Sequence, residues 1–210
     1  MNDADYAAAR RDLVNALRDR LDASERTLSA IGAVPRHQFV PESQRTAAYA
    51  DRPLPIGHDQ TVSAPHMVAM MTDLIDVERG DRVFEVGTGC GYHAAVVAEV
   101  VGPGNVFSAE RVPELAEEAR ERLDRLGYEV TVAAADGREA FAEEAPFDAA
   151  YLTCAAPEAV PEPIVDRVRT GGRVVAPVRG DRGQRLVRLA VREDGIDRDD
   201  RGGVRFVPMR

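Results

Sequence analysis

The chain of 210 residues contains no lysine and no tryptophan; all 27 of its basic side chains are arginine. A phosphate-cradling P-loop needs a lysine behind its second glycine, so that reading is excluded. Cysteine is nearly absent as well. Cys90 and Cys154 are the two in the chain, and their spacing fits neither a disulfide framework nor a metal site, so no metal is expected. There is no surplus of positive charge: a net charge of −9 and a pI near 5.0 argue against a polyanion held by bulk electrostatics, and nucleic acid is not expected as a partner. No apolar run approaches the ~20 residues of a membrane span. The opening Met1-Asn2-Asp3-Ala4-Asp5 is acidic and lacks the basic and apolar regions of a secretion signal. A cytoplasmic protein without membrane attachment is the expectation. No Gly-x-Ser-x-Gly elbow is present, and the histidines at 37, 58, 66 and 93 show no triad pattern, which weighs against a serine hydrolase.

What is present alternates in period. Apolar positions at helical spacing predict helices from about Tyr6 to Leu21, from Ser24 to about Ala33, and from Pro65 to near Asp76. Strands are predicted near 82–86, 105–109, 129–134, 147–152 and 172–178, with helices near 92–101, 113–126 and 160–169 between them. That alternation builds a parallel sheet covered on both faces. Arg185 to Val191 and Val204 to Met209, separated by an acidic turn from Glu193 to Asp200, read as a terminal antiparallel pair. The expected fold is therefore α/β: a Rossmann-like, doubly wound, mostly parallel sheet with a terminal antiparallel strand pair and an N-terminal helical extension. A single domain over 1–210 is expected, with helices and a loop in 1–80, a cofactor-binding core in 81–180 and antiparallel strands in 181–210. The Pro- and Gly-rich stretch from Val34 to Ala64 is a long connector of the kind that is usually functional. Disorder there would strand Phe39, Tyr49, Leu54 and Ile56 in water.

The stretch Val83-Phe84-Glu85-Val86-Gly87-Thr88-Gly89-Cys90-Gly91-Tyr92 joins a buried strand to a helix through three alternate glycines behind a carboxylate. Glycines allow positive φ and close backbone approach, and the helix start offers unpaired N–H groups, which together make a nucleotide-binding turn. A dinucleotide fingerprint needs a small residue where Tyr92 stands. The spacing Glu85-x-Gly87-x-Gly89-x-Gly91 instead resembles motif I of class I methyltransferases that use S-adenosylmethionine. Ligands of doubly wound sheets sit at the carboxyl ends of the strands. Three groups follow those ends. Glu110 stands where a carboxylate would bind a ribose diol, Asp136-Gly137 follows the third strand, and the small run Thr153-Cys154-Ala155-Ala156-Pro157 leaves room for a cofactor. Glu110 also suits a helix cap, and Asp136 a turn. Cys90 at a helix start suits either a reactive thiol or a packing residue.

The segment Asp51-Arg52-Pro53-Leu54-Pro55-Ile56-Gly57-His58-Asp59-Gln60-Thr61-Val62-Ser63-Ala64-Pro65-His66-Met67 is similar to the signature of the protein-L-isoaspartate O-methyltransferase family. Val34-Pro35-Arg36-His37, Phe39-Val40-Pro41, Glu110-Arg111, Ala155-Ala156-Pro157-Glu158, Gly171-Gly172-Arg173 and Phe206-Val207-Pro208 extend the resemblance essentially end to end. The resemblance implies a monomeric repair enzyme that transfers a methyl group from S-adenosylmethionine to the free α-carboxylate of L-isoaspartyl residues in proteins and peptides. The ester product then closes to a succinimide that hydrolyses partly to normal aspartate. Carried over, the active-site serine falls on Ser63. The cofactor site falls on Glu85, Gly87, Thr88, Gly89, Gly91, Glu110, Arg111, Asp136, Gly137 and Thr153. The substrate site falls on Ile56, His58, Gln60, Thr61, Val62, Ala64, His66, Val207 and Pro208. Asp59 and Cys90 depart from the glycine and serine common among relatives. From the residues alone, Ser63 ahead of Ala64-Pro65 also reads as a helix N-cap. A nicotinamide-linked oxidoreductase and a silent S-adenosylmethionine-binding module are the rival classes.

Overall fold

The computed structural model describes residues 1–209. Helix α1 (Asp3–Arg20) opens on a capping box, in which Asn2 Oδ1 accepts from Asp5 N–H at 3.0 Å and the Asp5 carboxylate accepts from Asn2 N–H at 2.9 Å. Its buried Leu13 and Leu17 join Leu28 and Ile31 of α2 (Glu25–Ala33) in one core cluster. The long connector is ordered, as its stranded apolar residues require. It forms two short 3₁₀ turns, Arg36–Gln38 and Glu42–Ala47, and then a hairpin of β1 (Leu54–Gly57) and β2 (Gln60–Val62). At the hairpin tip His58 and Asp59 have φ of 52° and 58°. Two consecutive left-handed residues make the turn whose twist matches a two-stranded ribbon, and aspartate enters that region more readily than most side chains.

Helix α3 (Pro65–Ile75) leads into β3 (Val83–Val86), all four residues of which are buried. Then follow α4 (Tyr92–Val101), β4 (Val106–Glu110), α5 (Pro113–Leu126), β5 (Val130–Ala134), β6 (Phe147–Leu152), β7 (Ala156–Pro157), α6 (Glu162–Val165), β8 (Val168–Gly180), β9 (Gly183–Arg192) and β10 (Gly195–Val204). The sheet order is β10-β9-β8-β6-β3-β4-β5, with β7 beside β8. Strands β5, β4, β3, β6, β7 and β8 run parallel, while β9 and β10 are antiparallel additions. This is the α/β, mostly parallel sheet that the strand–helix alternation predicts.

Successive residues of β3 serve opposite faces, as the two-residue period of a strand dictates. Val83 packs with residues from α2, α3 and α4, and Phe84 and Val86 pack with Phe147, Ile164 and Val165 on the other side. Because β3 lies between β4 and β6, the chain leaves it in opposite directions along the sheet, and a crevice opens there at the carboxyl ends.

Two boundaries differ from expectation. The last strand is Gly195–Val204, not Val204 to Met209, so the supposed acidic turn is itself the edge strand. Two of its carboxylates reach diagonally to arginines of β9: Asp197 pairs with Arg192 at 3.0 Å and Asp200 with Arg185 at 2.9 Å. Polarity therefore marks an exposed edge here, and only Glu193 and Asp194 turn the chain. The helix expected over 160–169 is limited to Glu162–Val165, because Val168 pairs with Phe147 and starts β8.

Candidate active site

An open cleft of about 910 Å³ occupies the crevice beyond β3, β4, β5 and β6. Its floor is the glycine turn. Gly87 has φ of 100°, and a side-chain carbon there would collide with the Thr153 hydroxyl. Thr153 in turn donates from its N–H to Val86 O at 2.9 Å and from its hydroxyl to Gly87 O at 2.5 Å, tying the end of β6 to the turn. Gly89 has φ of 54°, and Gly137 sits so close to Val86 that an added carbon would lie 2.5 Å from its side chain. These close approaches explain why glycine is required on both walls.

Glu110 ends β4 with its carboxylate aimed back at the turn. Oε2 accepts from Gly89 N–H at 2.9 Å and Oε1 from Val112 N–H at 3.0 Å. Each oxygen retains a lone-pair direction for a further donor. Across the cleft, Asp136 accepts from Arg138 N–H and Nε, each at 2.9 Å, and from Arg138 Nη2 at 2.5 Å, with Arg111 at 3.8 Å. The Arg138 bonds hold the carboxyl down at about 2, so it is ionised. Burial pushes the Cys154 thiol up to about 12 and the Cys90 thiol upward too, which makes both packing groups and not reactive thiolates.

Not every residue expected in the cofactor group lines the cleft. Glu85 lies beneath the turn, fully buried, at the register position between Ser108 of β4 and Tyr151 of β6. Ser108 donates to its carboxylate and shares a 2.6 Å hydrogen bond with Thr88. Burial drives the Glu85 carboxyl up to about 8 against the opposing pull of the Ser108 and Tyr151 hydroxyls. Gly91 is also behind the cleft, with φ of 86° and Leu123 of α5 where a side chain would be. Gly87, Thr88, Gly89, Glu110, Arg111, Asp136, Gly137 and Thr153 do line it. So do Ile56, Gln60, Thr61, Val62, Val207 and Pro208 from the expected substrate group. His58 lines neither recess and stands exposed at the hairpin tip.

A second recess of about 670 Å³ adjoins the first, lined by Ala64, His66, Met67 and the Gly203 to Val207 segment among others. The two share Thr61, Ser63, Thr153 and Val207. Ser63 therefore stands at the junction. Its reading as a helix cap does not hold. The N-cap of α3 is Ala64, without a side-chain cap bond, and the hydroxyl of Ser63 makes no hydrogen bond among the described residues. The capping acceptor is Asp51, whose Oδ1 takes the His66 N–H at 2.9 Å.

Residues to which the motifs assign no role hold these loops from behind. Buried Arg36 donates to the carbonyls of Ala48, of Arg52 at 3.2 Å and of Ser63 at 3.0 Å, with its guanidinium 5.5 Å from the Tyr92 ring centroid. Arg167 donates to the carbonyls of Gly137 at 3.0 Å, Arg138 at 2.7 Å and Ala140 at 2.7 Å. Arg122 of α5 holds the Cys90 carbonyl at 3.0 Å. Tyr92 is thus the floor under Arg36, in the place where a dinucleotide fold wants a small residue.

The family model described as protein-L-isoaspartate(D-aspartate) O-methyltransferase matches residues 8–210. Protein-L-isoaspartate O-methyltransferases 1 and 2 of Archaeoglobus fulgidus are 50% and 51% identical to the chain, each over 98% of it and 94% of their own length. The protein-L-isoaspartate O-methyltransferase of Methanothrix thermoacetophila is 51% identical over 94% of this chain and 92% of its own. A solved protein-L-isoaspartate O-methyltransferase superposes with a TM-score of 0.88 at 27% identity, covering 95% of this chain and 65% of that one. A Plasmodium falciparum structure of the same description, in complex with S-adenosyl-L-homocysteine, gives a TM-score of 0.82 at 26% identity over 96% of this chain and 98% of that one.

Proposed function

The chain belongs to the protein-L-isoaspartate(D-aspartate) O-methyltransferase family, an S-adenosylmethionine-dependent class, and from that premise we propose a division of labour between its two recesses. The cleft over the glycine turn takes the cofactor and the adjoining groove takes the isoaspartyl peptide. Ser63 stands between them. When bound, S-adenosylmethionine supplies an electrophilic methyl group on a positively charged sulfur.

The residues present suit that cofactor. Glu110 keeps acceptor capacity on both oxygens for the two ribose hydroxyls, Asp136 is an ionised acceptor for the adenine amine, and the glycine walls leave backbone exposed to the amino-acid end. Thr88, Gly89, Arg111 and Thr153 complete the lining, while Glu85 and Gly91 shape the turn from behind.

An isoaspartyl residue presents a free α-carboxylate, and an α-carboxyl pKa of about 3.5 leaves it ionised at neutral pH. The nucleophile needs no base. What the chain supplies is position and desolvation. The unengaged Ser63 hydroxyl, at the junction of both recesses, orients the carboxylate toward the cleft, with Ile56, Gln60, Thr61 and Val62 on one side of the peptide and Val207 and Pro208 on the other. That free hydroxyl is the observation on which the assignment rests. Repair of isoaspartyl proteins by a single-domain, cytoplasmic monomer completes the reading, and the acidic net charge of −9 argues against nucleic acid as its partner. No helix of the described residues is long and apolar enough to cross a membrane.

The test is methyl transfer from labelled S-adenosylmethionine to paired peptides that differ only in carrying L-isoaspartate or L-aspartate. They have equal charge, so only position separates them. Misplacement of the nucleophile by about one atom costs ~100-fold. A kcat/KM ratio of that order is expected, and comparable values for both peptides would overturn the assignment.

A further inference from the structure

The groove beside the cofactor cleft has a chemical character opposite to that of the whole chain. The protein is acidic, at −9, yet no carboxylate lines this groove among the described residues. Its polar lining is Thr61, Ser63, Thr153, His66 and Arg205, and Arg205 is exposed with no ion pair among the described residues. Such a lining suits an anion.

His66 is the best-placed of these groups, because one of its ring nitrogens is already engaged. Nδ1 lies 2.9 Å from Asp51 Oδ1, the same oxygen that caps α3 by accepting the His66 N–H at 2.9 Å. Asp51 Oδ2 takes Arg20 Nη1 at 3.0 Å, and the bonds from His66 and Arg20 hold the Asp51 carboxyl low against its burial, so it is ionised. An ionised partner fixes the proton on Nδ1 and sets the ring plane, which leaves Nε2 without a hydrogen bond among the described residues. The side chain is 34% exposed and lines the groove. It sits next to Ala64 and Ser63, at the edge of the shared junction.

We propose that His66, oriented by Asp51, is a positioning residue of the substrate groove: its Nε2–H donates to the oxygen of the isoaspartyl carboxylate that is not methylated. The inference rests on the reading that this groove holds the peptide. A carboxylate has two oxygens, and only one attacks the methyl group. Holding the other fixes the plane of the nucleophile without engaging the attacking atom. With a carboxylate at each nitrogen, the ring acts as a donor from both sides in the complex. The Ser63 hydroxyl and the Arg205 guanidinium are the other donors available to the same anion.

Two substitutions separate this role from a purely structural one. His66→Asn places an amide where Nδ1 was and keeps the Asp51 contact, but presents nothing in place of Nε2. His66→Gln reaches the Nε2 position but not Asp51. For an isoaspartyl peptide, His66→Asn is expected to raise KM about tenfold or more, the effect of losing a charged hydrogen bond, while kcat changes less. His66→Gln should lie closer to the wild type. S-adenosylmethionine affinity, read by calorimetry, should be unchanged in both. Any result in which Asn does not raise KM more than Gln overturns the proposal, since a structural role predicts the reverse order.

A second measurement needs no variant at position 66. With ¹⁵N-labelled histidine and S-adenosylhomocysteine bound, the His66 Nε2 resonance, assigned by replacing the other three histidines, should move to the protonated-donor range when isoaspartyl peptide is added. It should stay put with the aspartyl peptide. A His66 signal indifferent to the isoaspartyl peptide overturns the proposal. Failure of the wild-type enzyme to methylate that peptide would instead overturn the reading of the groove itself.

Discussion

Arg36 Nη2 donates to the carbonyl of Ser63 at 3.0 Å, linking the junction of the two recesses to a residue 27 positions earlier. The same guanidinium serves Ala48 and Arg52, and Arg167 does likewise for the Gly137 to Ala140 turn on the opposite wall. Neither arginine forms an ion pair with a carboxylate among the described residues. Backbone carbonyls carry the compensation. Five donors in a planar fork can reach three carbonyls that point inward from different turns, whereas an ammonium group is a single point with three donors.

Arg36→Lys is therefore expected to leave at least one buried carbonyl unpaired and to cost about 1–3 kcal/mol of stability. The Ser63 loop should also lose its fixed position, lowering kcat/KM for an isoaspartyl peptide while S-adenosylmethionine affinity holds. Denaturant melts and kinetics on the same preparation check this. An unchanged midpoint with an unchanged rate would show that the clamp is dispensable.

Ser63→Ala and Asp51→Ala should fail in different ways. The Ser63 hydroxyl caps nothing, so its loss should depress turnover at an essentially wild-type melting temperature. Asp51 supplies the cap, so its removal should cost about 0.5–2 kcal/mol. If Ser63→Ala were the destabilised variant and kept its rate, Ser63 would be a structural residue.

Glu110→Gln keeps the shape of the side chain but removes the charge that Gly89 N–H and Val112 N–H now share with the cleft. Hydrogen bonds to charged groups contribute about 1.5–3 kcal/mol, so S-adenosylmethionine should bind roughly ten- to a hundredfold more weakly. Calorimetry that returns the wild-type dissociation constant from a folded variant would remove Glu110 from the site.

Glu85 makes stability depend on pH in a definite direction. Its carboxyl is raised from 4.5 to about 8 by burial, so the native state holds this proton more tightly than the unfolded chain does. The corresponding stability is complete below about pH 4.5 and is lost as pH rises through about 8. Glu85→Gln cannot ionise. Between about pH 5 and pH 9 the melting temperature of the variant should gain on that of the wild type, and a constant difference across that range would show that Glu85 does not titrate there.

Much of this site is legible in the sequence, because its chemistry is carried by residue types with narrow uses. Gly87, Gly89 and Gly137 mark close backbone approach, and Glu110 and Asp136 follow strands whose ends share one edge. Membership of the turn did not mean membership of the cleft, however. Strand register sends Glu85 to the face beneath the turn, and Gly91 is required by Leu123 of a helix distant in sequence. Arg36 and Arg167 do not show as supports in the sequence, since their partners are backbone carbonyls that no side-chain pattern reports, and the partners of Asp51 lie 15 and 31 residues away. The polar run from Asp197 to Arg201 is deceptive for a related reason: an exposed edge strand, with Asp197 and Asp200 answered from β9 and Asp199 by Arg201 of its own strand, looks in one dimension like a turn.

That edge strand bears on the company this enzyme keeps. Proteins that carry isoaspartate are aged, and partly unstructured segments readily add themselves as an extra strand to any open sheet. The open side of β10 presents Asp197, Arg198, Asp199, Asp200 and Arg201, already matched in part by Arg185 and Arg192. A client chain gains little by pairing there, because it would have to displace or bury those charges. The sheet that builds the cleft is thereby a poor template for aggregation with its own clientele, and the groove at the carboxyl ends of the parallel strands is the place proposed for a damaged segment.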